Sequence, residues 1–568
     1  MFNLKDFMTT TVSPPSSAAP VPGAPQGFSK WLPLFVMGLA ILIVVLDTTL
    51  LNVSLATIVR ELDTDIRSIQ WVISGYSLTL AALTITGGRM GDMFGRKRMF
   101  VTGAGLFAVG SFLASVSPNV PTLILGEAII EGIGAALMLP ATASLLVTTY
   151  RGSDRALALG VWGGMAALGA GIGPVVGGYL TSNYSWRWGF RINVFVAAVV
   201  IGASFLIRDD RERSKPQLDW FGALLSASGL FMGVFTLIEG PVYGWWTAID
   251  ELTLFGFGLS PGGLSVVPFT AVLSVGLLTG FARWERRVTR LGRMPLVSLK
   301  LFSISQFRNG TTLTGLIALG QIGLLFGLPV FLQGVRGLDA QATGIALLPL
   351  SIGLLLMAPL GGYLSRYVPP KRIVLTGLMF AVTGLVLMYN MLSVETTAGD
   401  FIVPLGLYGL GVGLCLSQLA NITLSAVDPR DSGQASGVNS TVRQIGASLG
   451  TAILGTIVVA SIASGLHDGI LASPELDERQ RTVVAEAAAG QVSEIEFGGT
   501  LQTSESLTVA QHAQIRRIAQ QATVDANKRA YLFTICTTLL ALLLATRLPR
   551  GLNVERNESL QPVAVASG

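Results

Sequence analysis

Apolar runs of about twenty residues recur from Trp31 to Leu548, separated by short clusters of glycine, proline and charged residues. A bilayer crossing takes about 20 mostly apolar helical residues. Runs of about that length lie at 31–58, 70–90, 98–117, 121–149, 155–181, 187–207, 218–238, 262–284, 307–333, 340–366, 372–393, 402–425, 433–464 and 530–548. The pattern predicts an all-α polytopic membrane protein with about fourteen transmembrane helices. Basic residues fall in alternate loops, as "GRKR" (95–98), "RGSDR" (151–155), "RDDRERSK" (208–215), "RWERRVTRLGR" (283–293) and "PPKR" (369–372). Intervening loops such as "SVETTAGD" (393–400) are short of them. Short basic loops stay in the cytoplasm, so both termini are expected there and the polar segment 466–528 outside. That segment reads as partly helical, either a cap on the external mouth or a passive linker.

Composition agrees. Of 568 residues, 51% are hydrophobic and 12% charged, with a mean hydropathy of +0.62, whereas soluble domains carry about 25% charged residues. A soluble enzyme is excluded. The net charge of +5 is too small to suggest a nucleic-acid partner. Cys415 and Cys536 sit in separate apolar runs, which argues against a disulfide framework. His467 and His512 share one polar segment, a poor basis for a metal site. The first 27 residues, rich in Pro, Ser and Ala, are expected to be disordered, and no cleaved signal peptide is evident. The spans hold no Ser/His/Asp or His-rich constellation, and no nucleotide-binding Gly-Lys loop is present. Membrane-enzyme chemistry and ATP-driven transport are therefore not expected, and no cofactor is implied.

The chain also repeats itself. "GGRMGDMFGRKRMFVTG" at 87–103 aligns with "GGYLSRYVPPKRIVLTG" at 361–377, and "GVWGGMAALGAGIG" at 160–173 with "GVNSTVRQIGASLG" at 437–450, offsets of 274 and 277. Repeated halves build a site between them that opens alternately to either side. The expected organisation is a disordered segment 1–30, a six-helix half 31–207, a linker with two extra transmembrane helices 208–300, a second six-helix half 301–550, and a tail 551–568.

"GGRMGDMFGRKR" resembles the loop 2–3 motif of the major facilitator superfamily, carried by Gly88, Asp92, Gly95, Arg96 and Lys97. The glycines allow close helix contact and a sharp turn, while Asp92 can cap a helix end or pair with a base across the halves. Met93 stands where the motif has a basic residue, and Arg366 occupies the place of Asp92 in the second half. "GAGIGPVVGG" at 169–178 resembles the fifth-helix motif of the family's antiporters. Its Gly169, Gly173 and Gly177, followed by Gly178, give a flat packing face, and Pro174 removes one backbone hydrogen bond. "LDTTLLNVSL" (46–55), "WRWGFRINV" (186–194), "LPVFLQGVRGLDAQATGIALLPL" (328–350) and "GQASGVNSTVRQIGASLG" (433–450) are similar to the fourteen-helix drug:proton antiporter branch. The resemblance covers about 31–550 and implies two pseudo-symmetric halves, alternating access, proton-coupled multidrug efflux and a monomer in the cytoplasmic membrane. One position departs from it. In "GEAIIEGIGAALMLP" (126–140), Ala128 replaces the arginine credited with helping proton transfer, and the segment offers Glu127 and Glu131 instead.

Within "ILIVVLDTTLLNV" (41–53) stands one carboxylate, Asp47. Counted from the outer ends of their spans, at 58 and 121, Asp47 and Glu131 reach a similar depth at about 1.5 Å per residue. In the family fold both helices line the central cavity, so Asp47, Glu127 and Glu131 are candidates for one proton-carrying cluster. Blander roles stay open: Asp47 hydrogen-bonding Thr48 or another helix, Glu127 facing external water, Glu131 bridging to Arg191. Tyr76, Gln321, Gln418 and Asn421 are candidate cavity lining, although helix–helix hydrogen bonds account for them as well; Arg443, about ten residues into its span, reads as cavity lining, with snorkelling to the cytoplasmic edge as the alternative. The leading expectation is proton-driven export of lipophilic, cationic compounds. Export of a lipid or endogenous metabolite, and a sensor that kept the fold and lost transport, are the competing ones.

Overall fold

The apolar runs fold into helices, because a chain in hydrocarbon must satisfy its backbone hydrogen bonds internally; the run 340–366 does so in two pieces, Ala340–Ala346 and Leu348–Leu364. The computed structural model describes residues 30–64, 66–207, 218–249, 252–254, 257–259, 263–490 and 507–549. The proline-rich start, the basic run 208–215, residues 491–506 of the polar segment and the tail 551–568 lie outside the described residues. The helices are α1 Leu32–Glu61, α2 Ile66–Phe94, α3 Arg96–Ser115, α4 Val120–Thr149, α5 Gly152–Asn183, α6 Arg187–Ser204, α7 Trp220–Tyr243, α8 Val267–Arg290, α9 Ser305–Val330, α10 Leu348–Leu364, α11 Pro370–Met391, α12 Ile402–Ser425, α13 Ser432–Leu471 and α14 Val509–Ala545. Twelve are long and apolar enough to cross a membrane by themselves or with the turn before them. With α2 and α9, of 29 and 26 residues, they make the expected fourteen.

Large apolar side chains point outward from the bundle, among them Phe195, Phe205, Trp220 and Val272, while Asp47, Glu127, Glu131, Asn193 and Gln418 are buried within it. A water-soluble protein does not expose apolar area on this scale. The surface is made for lipid and the interior for polar chemistry. A two-stranded ribbon between α7 and α8, Leu252–Leu254 against Phe257–Leu259, adds a small strand element to the expected all-α fold.

Glycine sets the closest helix contacts. A Cβ at Gly134 would lie 2.4 Å from the backbone nitrogen of Phe107, and one at Gly110 would lie 2.5 Å from that of Glu131. α3 and α4 therefore touch backbone to backbone. Replacing Gly134 by leucine should part them at a cost of about 3 kcal/mol and lower the thermal midpoint in detergent. Gly105→Leu on the same α3, where nothing lies within 4 Å of the added carbon, should leave it unchanged.

The extra helices α7 and α8 pack against the bundle. Val234, Phe235 and Tyr243 of α7 pack with Leu78 and Ala81 of α2 and with Ile445 of α13, so the hairpin covers a seam between the two halves. On the other side, α5 meets α10, where a Cβ at Gly160 would lie 2.4 Å from the Ala358 carbonyl oxygen. At the end opposite the basic loops, α13 and α14 run on and pack with helix Glu478–Gly490, burying Leu466, Ile470, Val484 and Ile515. Gln520 Nε2 donates to the Val335 carbonyl at 3.1 Å. Among the described residues, the core of this extension belongs to the second half.

Candidate functional site

Three helices bring the buried carboxylates together. Asp47 comes from the middle of α1, which is held by α5: a Cβ at Gly169 would lie 2.7 Å from the Leu42 carbonyl, and one at Gly177 3.0 Å from Leu50 Cγ. Gly173 faces Thr49, Gly178 is also buried, and α5 continues through Pro174 as one helix. The glycine motif of α5 thus seats the helix that carries the acid.

Glu127 and Glu131 come from α4, in a segment, Ile124–Glu131, wound as a π-helix. Such turns widen a helix locally and recur at functional sites. Here both carboxylates turn inward. Asp47, Glu127 and Glu131 are 1%, 1% and 0% exposed, and one oxygen of each lies within 4.8 Å of the others. Glu127 is within hydrogen-bonding reach of both neighbours.

An ionised carboxylate can only accept hydrogen bonds, so three in mutual contact need protons or cations between them. Among the described residues no basic side chain is ion-paired with any of the three. Arg191, one partner weighed for Glu131, is exposed and stacks over Trp188 at 5.0 Å. The donor is Asn193 of α6, fully buried, whose Nδ2 gives 2.6 Å to Asp47 Oδ1 and 3.5 Å to Glu131 Oε1. Sequence reading passed over Asn193, although it stands inside the quoted "WRWGFRINV"; a single amide in an otherwise apolar helix was the available signal.

Tyr76 joins the cluster from α2: it is buried, in the field of all three carboxylates, and its hydroxyl has no protein hydrogen-bond partner among the described residues. Ala128, in place of the family's arginine, is 1% exposed. It backs onto Gly75, where an added Cβ would come within 2.9 Å of its own. A closed α2–α4 contact fills that place, with no room for a guanidinium.

The remaining candidates lie elsewhere. Gln418 Nε2 donates to the Gly361 carbonyl at 2.8 Å, tying α12 to α10. Asn421 is buried, and Gln321 and Arg443 are half-buried, on α12, α9 and α13.

The loop motif works at the basic end. Asp92 Oδ1 accepts from the Gly433 N–H at 2.9 Å and Oδ2 from the Gln434 N–H at 2.8 Å, at the first turn of α13. Arg96 Nη2 lies 3.0 Å from Asp92. A Cβ at Gly88 would be 2.4 Å from the Gly433 carbonyl. Gly95 turns the chain with φ +101°, a conformation costly for other residues. Lys97 Nζ donates to the Ile207 carbonyl at 2.6 Å. Ser144 and Ser432 share a hydroxyl contact of 2.7 Å across the same seam.

Arg366, the residue in the place of Asp92, also bridges the halves, with its charge reversed. Its Nη2 lies 3.4 Å from Asp154 Oδ1, and Lys30 Nζ lies 2.6 Å from Asp154 Oδ2. Both pairs are about a third exposed and are worth little energy individually.

Fourteen helices in two latched halves, with a buried acidic cluster inside the first, define a polytopic membrane protein. Residues 37–451 match the Major Facilitator Superfamily, and the chain belongs to that family. It is 30% identical over 500 residues to the tetracenomycin C resistance and export protein of Streptomyces glaucescens, covering 87% of this chain and 88% of that one. It is 32% identical over 466 residues to the puromycin resistance protein pur8 of Streptomyces alboniger, covering 80% and 88%. Among solved structures it resembles the proton:xylose symporter XylE, with a TM-score of 0.58 at 11% identity over 94% of this chain and 99% of that one, a likeness of fold.

Losing the Asn193 amide should slow transport more than it destabilises the fold. Asn193→Leu leaves buried acceptors without their donor, worth about 1–3 kcal/mol, so the transport rate per folded molecule should fall about tenfold. A lowered thermal midpoint with an unchanged rate per folded molecule would make Asn193 a packing residue only.

Proposed function

We propose that the protein is a proton-coupled antiporter exporting lipophilic, cationic drug-like compounds across the cytoplasmic membrane by alternating access. The observation that carries this reading is the cluster of Asp47, Glu127 and Glu131, buried together with no basic partner among the described residues. Such a cluster exchanges protons as one unit. When the cavity faces outward, Asp47 and its neighbours take up protons. When it faces inward, a cationic substrate favours their release, because charge attracts it and apolar walls cover the rest. In this reading the basic end faces the cytoplasm with both termini, Asp92 on α13 is the inward latch, and the protein works as a monomer. The relatives' names, which speak of resistance and export, support the direction of transport.

Everted membrane vesicles acidified inside test it. Ethidium should accumulate in vesicles carrying the protein and leak away when nigericin collapses the pH gradient. Accumulation that survives nigericin would remove protons from the account. The second reading, export of a lipid or endogenous metabolite, is favoured by Arg443, half-buried on α13, which offers a positive charge to an anionic head group. No accumulation of any cationic dye by folded protein would turn attention there.

A further inference from the structure

The cluster holds more oxygen than protons need. Beside the three carboxylates, which bring one oxygen each within 4.8 Å of the others, Asn193 Oδ1 and the Tyr76 hydroxyl are buried with no hydrogen-bond partner among the described residues. Asn193 presents Oδ1 from the same amide that donates to Asp47 and Glu131. Tyr76 enters from α2 into the field of all three acids. The three acids are thus accompanied by two buried, unpartnered oxygens on neighbouring residues, Asn193 of α6 and Tyr76 of α2.

We infer that Asp47, Glu127, Glu131, Asn193 and Tyr76 form a binding site for a hard metal cation of sodium or calcium size, which competes there with protons. Ligand type comes first. All five donors are oxygen, which suits hard cations, whereas soft metals favour thiolate and imidazole. Cys415 is in α12, Cys536 is in α14, and both histidines stand in the polar segment.

Spacing comes second. Oxygens at about 2.3–2.6 Å from one ion can be no more than about twice that apart, a limit the three carboxylates satisfy. One carboxylate binding through both oxygens raises five donors to six, within the range such ions take. Burial comes third. Magnesium keeps much of its water, and a pocket whose acids are 0–1% exposed is a poor fit for a hydrated ion.

Charge supplies the coupling. Three carboxylates hold together with a divalent ion and one proton, or with a monovalent ion and two. Taking up the ion releases protons from the same oxygens, and acidification expels it. Nothing covalent changes. The location of this exchange in the transport path rests on the antiporter reading above, but the binding itself does not.

Purified full-length protein in detergent tests it by equilibrium binding of 22Na+ and, separately, 45Ca2+, between pH 6 and pH 9. The expected result is saturable binding of at least one of the two, one ion per chain, weakening as pH falls. Glu131→Gln and Glu127→Gln should each weaken it about tenfold or more, since changing even a partner of a ligand costs about 10–100-fold, while running as wild type on size exclusion. Gly105→Leu, in open space on α3, should bind normally.

Saturation by sodium alone assigns a monovalent site, and by calcium alone a divalent one. Absence of saturable binding of either ion overturns the inference. So does binding that is indifferent to pH or to both glutamate substitutions. If the same preparation, placed in liposomes, still exchanges protons for a cationic dye, the cluster carries protons only and the antiporter reading stands. If dye-driven proton exchange fails while ion binding persists, the antiporter reading falls and this one remains.

Discussion

Asp47→Asn should leave the protein folded and able to exchange dye for dye across a liposome membrane, yet unable to accumulate dye against its gradient. The substitution keeps size and shape and removes one titratable group. Asp47 is the one acid of the cluster carried by α1, and it receives the Asn193 amide at 2.6 Å. With Asn in its place the cluster loses a charge and a proton-carrying oxygen, while the α1–α5 contact at Gly169 and Gly177 is untouched. Counterflow reads the conformational cycle alone, and gradient-driven uptake reads coupling. The expected outcome is counterflow within about threefold of wild type and gradient-driven accumulation down by two orders of magnitude or more, the scale general acid–base groups contribute. Loss of both would place Asp47 in the folding or movement of the bundle.

Asp92→Ala should have the next largest effect, on conformation rather than on protons. Asp92 accepts two backbone N–H groups at the first turn of α13. There the helix dipole favours a negative charge, and the four leading N–H groups lack partners in the helix. Alanine abandons both donors and leaves Arg96 without its 3.0 Å partner. Such a cap is worth about 0.5–2 kcal/mol, and the buried ion contact adds to it. The two halves should then separate at the basic end in a larger fraction of molecules, by roughly tenfold. A cysteine placed at Ser432, now against Ser144 across the seam, should react with a water-soluble maleimide about ten times faster in the Asp92→Ala background. An unchanged rate would mean that the backbone contact of Gly88 with Gly433 closes this end without help from the acid.

Much of this was legible before any coordinates. Length and apolarity gave the helices, because hydrocarbon leaves the backbone no other arrangement. Isolated acids in apolar runs are conspicuous, and counting residues from the outer ends of α1 and α4 put Asp47 and Glu131 at one depth. The rest depended on pairings between distant residues. Asn193 is 146 positions from Asp47, and a lone amide in an apolar helix reads equally well as packing. The π turn at Ile124–Glu131 leaves no mark on a four-residue spacing, since Glu127 and Glu131 share a face in either winding. The pairing of Arg366 with Asp154 joins residues 212 apart. Sequence showed only that the acid of the first half had become a base in the second. The polar segment 466–528 reads as partly helical in sequence, but that α13 and α14 run into it without a break leaves no span signal, because its surface is polar.

The central claim is that substrate and protons exchange through the buried carboxylates. The most direct measurement places purified protein in liposomes with a trapped pH dye, imposes a proton gradient, and adds a cationic dye. Wild type should show proton flux triggered by the dye, Asp47→Asn and Glu131→Gln should show none, and Gly105→Leu, in open space on α3, should behave as wild type. Dye transport at the wild-type rate with no accompanying proton flux, or flux untouched by both substitutions, would contradict the account.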